Sequence, residues 1–599
     1  MLINFGSVPS SGRPDFDTTV ETSGNWRSNE RILAHSCDAS LTDTPSGSIT
    51  FTHQPTSWFT QRLIIGADQV NTMNVEMALR IDSLLNTGIG TDALGYKFQS
   101  NNTDAFRTYD YAATAKVGLS DFNFATSVGA QYYTKKYEFV SAGGFVFPAQ
   151  GLTAINALTS SLSTGQDVTE NNTLGYYAQE TIGWKDRRYL TLALRTDKNS
   201  AFGADFKRAY YPKASFSWVV SDESFFHVNW VNSLRLRAAY GETGQQPDQF
   251  SALRTYAPTT GPGDQPAVTA LTLGNPKLGP ERGKEFETGF ESSFLNDRVG
   301  LEFTYYNKNT DKAILDQQVA PSVGFGSDML VNAGHIKNSG EEVVLNVTPV
   351  RSENFQWDAG VSFSHNTNKI ISLGIPGVTS ISPGTYQEDI NGFPVGAWFL
   401  RKVVSAQVDG TGTAYNIMCA DGHGGQVDCA DAPKVYQGSS VPTKEGAFTS
   451  TFTLWKRLKL YGTVDYQLNF QKLDGNLRIR CYFEIGGLCK DLADPVHGNP
   501  IIVAGAQEGI PSYLISNASF YRLGEVSASY ALSDEMAARL HARSASLTLA
   551  GRNLVTWTGY KGLDPTAQFL GGSRGTSVAW EQTVTPTLSS FLLTLNLTF

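Results

Sequence analysis

Nowhere in the 599 residues is there an unbroken apolar run of the ~20 residues that a membrane-spanning helix requires, so a helical membrane protein is excluded. Charge is scarce: Asp, Glu, Lys and Arg make up 17% of the chain, against roughly 25% in globular proteins. No Lys/Arg-rich block appears and the net charge is −9, which argues against nucleic acid as a main partner. The amino-terminal MLINFGSVPSSGRPDF lacks a charged segment leading into an apolar core, so no secretory leader is visible. Cysteine is sparse too, with only Cys37, Cys419, Cys429, Cys481 and Cys489. Four of them form two close pairs, CADGHGGQVDC and CYFEIGGLC, in glycine-rich sequence of loop character. In an oxidising compartment these close as two local disulfides and leave Cys37 odd; otherwise they are free or partly buried thiols.

What the chain does have is aromatics and alternation. Phe, Trp and Tyr supply 12% of residues, and 57 are glycine. Mean hydropathy is only −0.22, yet apolar residues fall on every second position over long stretches. The last residues, LSSFLLTLNLTF, place Phe591, Leu593, Leu595, Leu597 and Phe599 on one face and Ser590, Thr594, Asn596 and Thr598 on the other. The same period of two runs through Leu190, Leu192 and Leu194, through Phe355, Trp357, Ala359, Val361 and Phe363, and through Leu458, Leu460, Val464, Tyr466 and Leu468. Strands that are apolar on one side and polar on the other suit a barrel with lipid outside and water within, and alternation hides such a membrane face from a hydropathy average.

Two kinds of connection alternate. Short polar turns such as KDRR, SDES and SEN join strands at one end, and long Gly/Pro/Asp-rich excursions at 141–170, 244–280, 372–388, 407–440, 474–515 and 557–587 join them at the other. That asymmetry is the one between periplasmic turns and extracellular loops. About eighteen strands of 12 to 18 residues are readable, longer than the ~10 needed to span. Residues 1–45 are ambiguous, and 70–104 reads as an excursion with some helical character in MNVEMALRIDSLLN. The repeat near 40 residues expected of a propeller is not found. A large soluble sandwich would lack the Tyr/Trp enrichment near strand ends, and the lipid-like alternation with the terminal Phe599 weighs against a soluble adhesin or carbohydrate-binding β-protein.

Several segments resemble the TonB-dependent outer-membrane receptors of the SusC/RagA branch. The carriers are YYPKASFSWVVSDE (210–223), LRLRAAYGETGQQP (234–247), PERGKEFETGFE (280–291), NAGHIKNSGEEVVLNV (332–347), NGFPVGAWF (391–399), YQGSSVPT (436–443), ASFYRLGEVSASYALS (518–533) and LTLAGRNLVTWTGYKGLDP (547–565). They stand in the family's order from about residue 46 to the end. The resemblance implies an all-β fold, a transmembrane antiparallel β-barrel of 22 strands with long extracellular loops, in the outer membrane of a Gram-negative bacterium. It implies import of a large nutrient, an oligosaccharide or a peptide, with the TonB complex, a SusD-like surface lipoprotein and outer-membrane lipids as partners, and no enzymatic activity. Residues 46–599 match the barrel portion, whereas a plug, a TonB-binding segment and a signal peptide are not recognisable. The expectation is therefore part of a plugged receptor, with a plugless passive pore or a truncated, non-functional barrel as alternatives.

Candidate site residues follow the same division. Arg235, Arg237, Glu287, Glu291 and Asp465 fall on the polar face, where they contact substrate or plug, or simply line a solvated lumen. Asp421, His423, Asp428 and Asp431 lie in a glycine-rich loop, but without the D-x-[DN]-x-[DN]-G spacing of a calcium loop they read as a disulfide-pinned loop rather than a metal site. His423 and His497 are in loops and His227 and His541 beside short turns; with no Ser–His–Asp set or carboxylate pair legible, no catalytic residue and no cofactor is assigned. Phe591, Leu593, Leu595, Leu597 and Phe599 resemble the carboxy-terminal signal read by the outer-membrane assembly machinery.

Overall fold

The computed structural model describes residues 2–4, 36–81, 94–206, 208–317, 319–325, 328–384, 386–482, 489–568, 580–582 and 586–599. Strands dominate it, and 19 of them, most of them long, belong to one sheet. The chain divides into two compact units. The first holds Met1–Ala214, Gly241–Arg282 and Ile314–Asn332; the second holds Ser215–Tyr240, Gly283–Ala313 and Ala333–Phe599.

In the first unit the strand Phe59–Ala78 pairs on one edge with Ser46–Thr56 and then with Ser36–Asp43. On its other edge it pairs with Tyr96–Leu119. Phe122–Phe145, Ser160–Trp184 and Arg188–Asn199 then follow as antiparallel neighbours. In the second unit, Met329–Arg351 pairs with Phe355–Ser372, which pairs with Lys444–Leu454. The run continues through Leu458–Leu468, Phe520–Ala531, Ser544–Thr558 and Ser590–Thr598. Of the ambiguous amino-terminal stretch, Leu2–Asn4 and Ser36–Asp43 are strands, and 5–35 lie outside the described residues.

Two readings of the sequence need correction. The stretch 70–104 is not an excursion over its described part: Phe59–Ala78 and Tyr96–Leu119 are paired residue by residue from Phe59↔Ala115 to Ala78↔Tyr96. Likewise the loop placed at 141–170 shrinks, because one strand runs to Phe145 and the next begins at Ser160. The reason is physical. Period-two alternation exists only where one face meets an apolar medium; strand ends such as KFQSNNTDA, polar on both faces, keep the ladder and lose the pattern. Strands therefore reach 25 residues in Ser160–Trp184, well beyond the lengths legible from alternation.

Polarity is inverted relative to a water-soluble fold. On Arg188–Asn199, Leu190, Leu192 and Leu194 are exposed, the last two at 47% and 50%, while Thr191, Ala193 and Arg195 between them are more covered. Phe591, Leu593 and Leu595 are exposed at 77%, 71% and 54%. Apolar cores occur instead in the connections. Val403, Cys419, Cys429, Ala432, Ala504 and Ile510 form one cluster, and Trp398, Leu400, Leu473 and Leu514 another. Short local elements build them, including the helix Pro500–Gln507, started by Pro500 and capped by the Asn499 side chain on the Ile501 N–H at 3.0 Å.

Candidate functional site

The sheet faces opposite the exposed apolar rows carry polar networks. In the first unit, Thr114 bonds Ser127 at 2.9 Å and Thr181 bonds Thr191 at 3.1 Å, both as cross-strand pairs. Arg195 donates to Asp197 at 2.9 Å and to Gln131 at 3.0 Å. Further along these strands Asn199 Nδ2 donates to Asn171, Thr173 and Gln246, at 2.5, 2.7 and 2.7 Å. Gln246 in turn donates to Tyr133 at 3.0 Å. Asn171, Thr173 and Asn199 are buried, so this network fixes the start of the long connection after Val231–Gln245.

In the second unit the structure brings three of the five residues expected on the polar face together. Glu291 accepts from Arg235 and lies 3.4 Å from Arg237, whose Nη2 also donates to Thr304 at 2.5 Å. Glu287 stands on the same strand, and Asp465 stands opposite Arg522 in register; neither joins that trio.

A site that residue types alone do not reveal lies among the connections of the second unit. Lys472, Asp474, Arg522, Tyr560, Asp564 and Glu581 are all buried, Glu581 at 0% and Lys472 at 3% exposure. Arg522 donates to Asp564 at 3.0 Å and to Thr556 and Thr566 at 3.1 Å. Lys472 Nζ donates to the carbonyls of Pro565, at 2.9 Å, and Ala567. Glu581 accepts from the Leu563 N–H at 3.1 Å, the Asp564 N–H at 3.3 Å and Asn476 at 3.0 Å. Tyr560 donates to the Leu473 carbonyl at 3.3 Å. Three chain segments are thereby held at one point: 471–477, 560–567 and 580–582.

The burial shifts these groups in opposite directions. Desolvation lowers Lys472 to about 8 against the pull of Glu581 and Asp564. It raises Asp474 and Glu581 despite backbone hydrogen bonds to each, and it raises Tyr560, helped by the charge of Glu581. Desolvation acts on Asp564 too, yet hydrogen bonds from Thr566 and Thr587 outweigh it and hold this carboxyl below the usual range. The arrangement can anchor loops. The sequence signal was present in KGLDP, but nothing local says that an Asp and a Lys 92 positions apart meet.

The cysteine pairs are bonded: Cys419 to Cys429 and Cys481 to Cys489. Cys37 is in the strand Ser36–Asp43. Asp421 accepts from the backbone of His423 and Gly425 at 2.7 and 2.9 Å, and Asp428 from that of Ala430 at 2.9 Å, so these carboxylates shape turns. Among the described residues no three His, Cys, Asp or Glu side chains group as metal ligands. His497 contacts Asp494 at 3.0 Å and is exposed; His541 occupies a turn with φ 55°. The last strand, with Phe591, Leu593, Leu595 and Leu597, pairs with Ser544–Thr558.

Long antiparallel strands, apolar on one face and polar on the other, are those of a transmembrane β-barrel protein. Residues 3–483 match the family model of the TonB dependent receptor-like beta-barrel, and the chain belongs to that family. TonB-dependent receptor P26 of Formosa agariphila is 29% identical over 519 residues, covering 79% of this chain and 51% of that protein. TonB-dependent receptor SusC of Bacteroides thetaiotaomicron is 24% identical over 426 residues, covering 66% and 42%. The chain thus spans about half the length of the curated relatives it matches. Among solved structures, the RagAB peptide importer in its open-open state superposes with a TM-score of 0.80 at 20% identity, over 95% of this chain and 62% of that one, a likeness of fold.

Proposed function

We propose that the chain forms the barrel of an outer-membrane TonB-dependent importer of the SusC/RagA type, in a Gram-negative bacterium, for a large nutrient such as an oligosaccharide or a peptide. The observation that carries this reading is the inverted polarity of strands such as Arg188–Asn199 within a chain of this family. Exposed leucines suit hydrocarbon, and the opposite polar wall suits a water-filled lumen. The disulfide-bonded, core-containing connections capture the nutrient, a SusD-like lipoprotein covers them, and TonB supplies the work of release. No residue is given a catalytic role.

The test uses the native host. Labelled peptides and oligosaccharides of graded size are offered to wild-type cells, to a strain lacking this gene, and to one lacking TonB. Loss of uptake of one substrate in both mutants supports the importer; uptake that needs this gene but not TonB replaces it with a passive pore.

A further inference from the structure

In the first unit the strand Ser160–Trp184 runs past the end of its neighbour Arg188–Asn199, whose last pair is Thr173↔Asn199. Beyond that pair, the turn after Asn199 and the connection after Gln245 come up to the longer strand and leave a cavity of about 150 Å³. Phe202, Phe250 and Leu253 supply its apolar wall, and Glu170, Ser200 and Gln249 its polar groups. Both sides are anchored. The Ser200 N–H donates to the Asn172 carbonyl at 3.0 Å, and Phe202 packs edge-on against Phe206 at 5.1 Å. Gln246, just before Gln249, is held by Asn199 and Thr173, and Ala252 packs with Leu278 and Leu330. Between these anchors Phe250 takes a φ of 65°, rare for a bulky residue, and stays 50% exposed. Its carbonyl accepts from the Leu253 N–H at 2.8 Å. Strained residues of this kind collect at ligand clamps.

The polar groups have capacity to spare. Glu170 uses one carboxylate oxygen on Asn172 Nδ2, at 2.9 Å, and the other has no partner among the described residues. Ser200 Oγ accepts from the Asn172 N–H at 2.9 Å and keeps its second lone pair. The Gln249 amide has no partner among the described residues. Two cations close in register or sequence are engaged elsewhere. Lys136, opposite Glu170, is ion-paired with Glu138 at 2.5 Å, and Arg254 lies over the Phe325 ring at 5.5 Å.

We propose that this cavity takes a lysine side chain of a peptide, its stem against Phe202, Phe250 and Leu253 and its ammonium on Glu170, Gln249 and Ser200. The inference narrows the proposed nutrient to peptides with basic side chains, and in that respect it rests on the importer reading. An ammonium brings three donors and no acceptor, which a carboxylate, an amide carbonyl and a hydroxyl oxygen satisfy together. Long basic side chains lay their stems along apolar surface, and the faces of the two rings attract the charge at the tip. Size favours a side chain over a sugar. A cavity of this volume holds a group the size of benzene, which is the bulk of a lysine side chain. A hexose with its hydroxyls is larger and brings more donors than three polar groups can meet.

The test uses the protein purified from its host's outer membrane and equilibrium dialysis of two labelled, capped tripeptides, with lysine or norleucine between two glycines. Norleucine has a stem of the same kind without the charge. Wild type binds the lysine probe about tenfold more tightly than the norleucine probe. Glu170→Gln, which keeps an acceptor for Asn172, removes that preference, and Phe250→Ala weakens both probes. Heat-modifiable migration checks that each variant is folded. Equal binding of the two probes by wild type, or binding of neither, overturns the inference, as does a lysine preference that survives Glu170→Gln. Maltotriose bound by wild type and lost in Phe250→Ala, with neither tripeptide bound, would make the cavity a sugar subsite and overturn it too. Dialysis involves no transport, so a lysine preference in the purified protein together with uptake that does not need TonB keeps the cavity and removes the importer.

Discussion

At the scale of single residues the buried ion pair is the most consequential feature. Arg522 and Asp564, 10% and 6% exposed at their side chains, are each other's charge partner in a dry setting. Removing one partner leaves the other uncompensated, which costs about 3 kcal/mol. Arg522→Ala is therefore expected to free the 560–567 segment, seen as faster cutting there by proteinase K, with the barrel strands still resistant. Lys472 gives a pH signature. Its folded value near 8 lies below its unfolded value of about 10.4. Between those values the unfolded segment holds more protons than the folded one, so anchoring strengthens as pH rises from about 8 to about 10.4. Lys472→Met should abolish that rise in protection; an unchanged pH profile in the variant would show that another group titrates there. Asp564 acts at the acid end: its depressed carboxyl contributes stability above the unfolded value of about 3.9, lost as pH falls below it.

At the scale of elements, each strand is specified by its two faces. Leu192 and Thr191 are neighbours in sequence and lie on opposite sides of the sheet. Leu192→Lys on the lipid side should cost about 2–4 kcal/mol at mid-depth, whereas Thr191→Lys on the polar side should be tolerated. Heat-modifiable migration of the two variants checks this, and equal behaviour would assign the faces wrongly. The connections obey different rules. Cys419 and Cys429, ten positions apart, line the cluster around Val403, Ala504 and Ile510. Replacing both by serine should lower the stability of that lobe by about 2–3 kcal/mol, read as hydrogen exchange confined to 403–429 and 500–510. Alternation made the membrane-depth halves of strands legible, as in Phe355–Phe363. It missed 96–104 because KFQSNNTDA is polar on both faces, and it missed 70–78 because Met73, Val75 and Met77, alternating with Asn74 and Glu76, run into MALRIDSLLN, whose apolar spacing also suits a helix; the ladder between Phe59–Ala78 and Tyr96–Leu119 settles both. The helix Pro500–Gln507 was hidden for the opposite reason: at eight residues it is too short for a periodic stripe.

At the scale of the whole molecule, one feature unites family, fold and proposed transport: strands with an exposed apolar row on one face and polar networks on the other. The sequence by itself determined this, because which face of a strand is apolar is written residue by residue with a period of two, and a bilayer reads that pattern without reference to the rest of the chain. It also determined the family, through motifs in a fixed order such as LRLRAAYGETGQQP and GYKGLDP. Only the tertiary structure decided how far each strand runs past its alternating stretch and which buried charges meet. Those outcomes depend on contacts between residues far apart in sequence. Lys472 reaches Pro565, and Asn199 reaches Gln246, because backbone pairing elsewhere sets where each connection starts and ends.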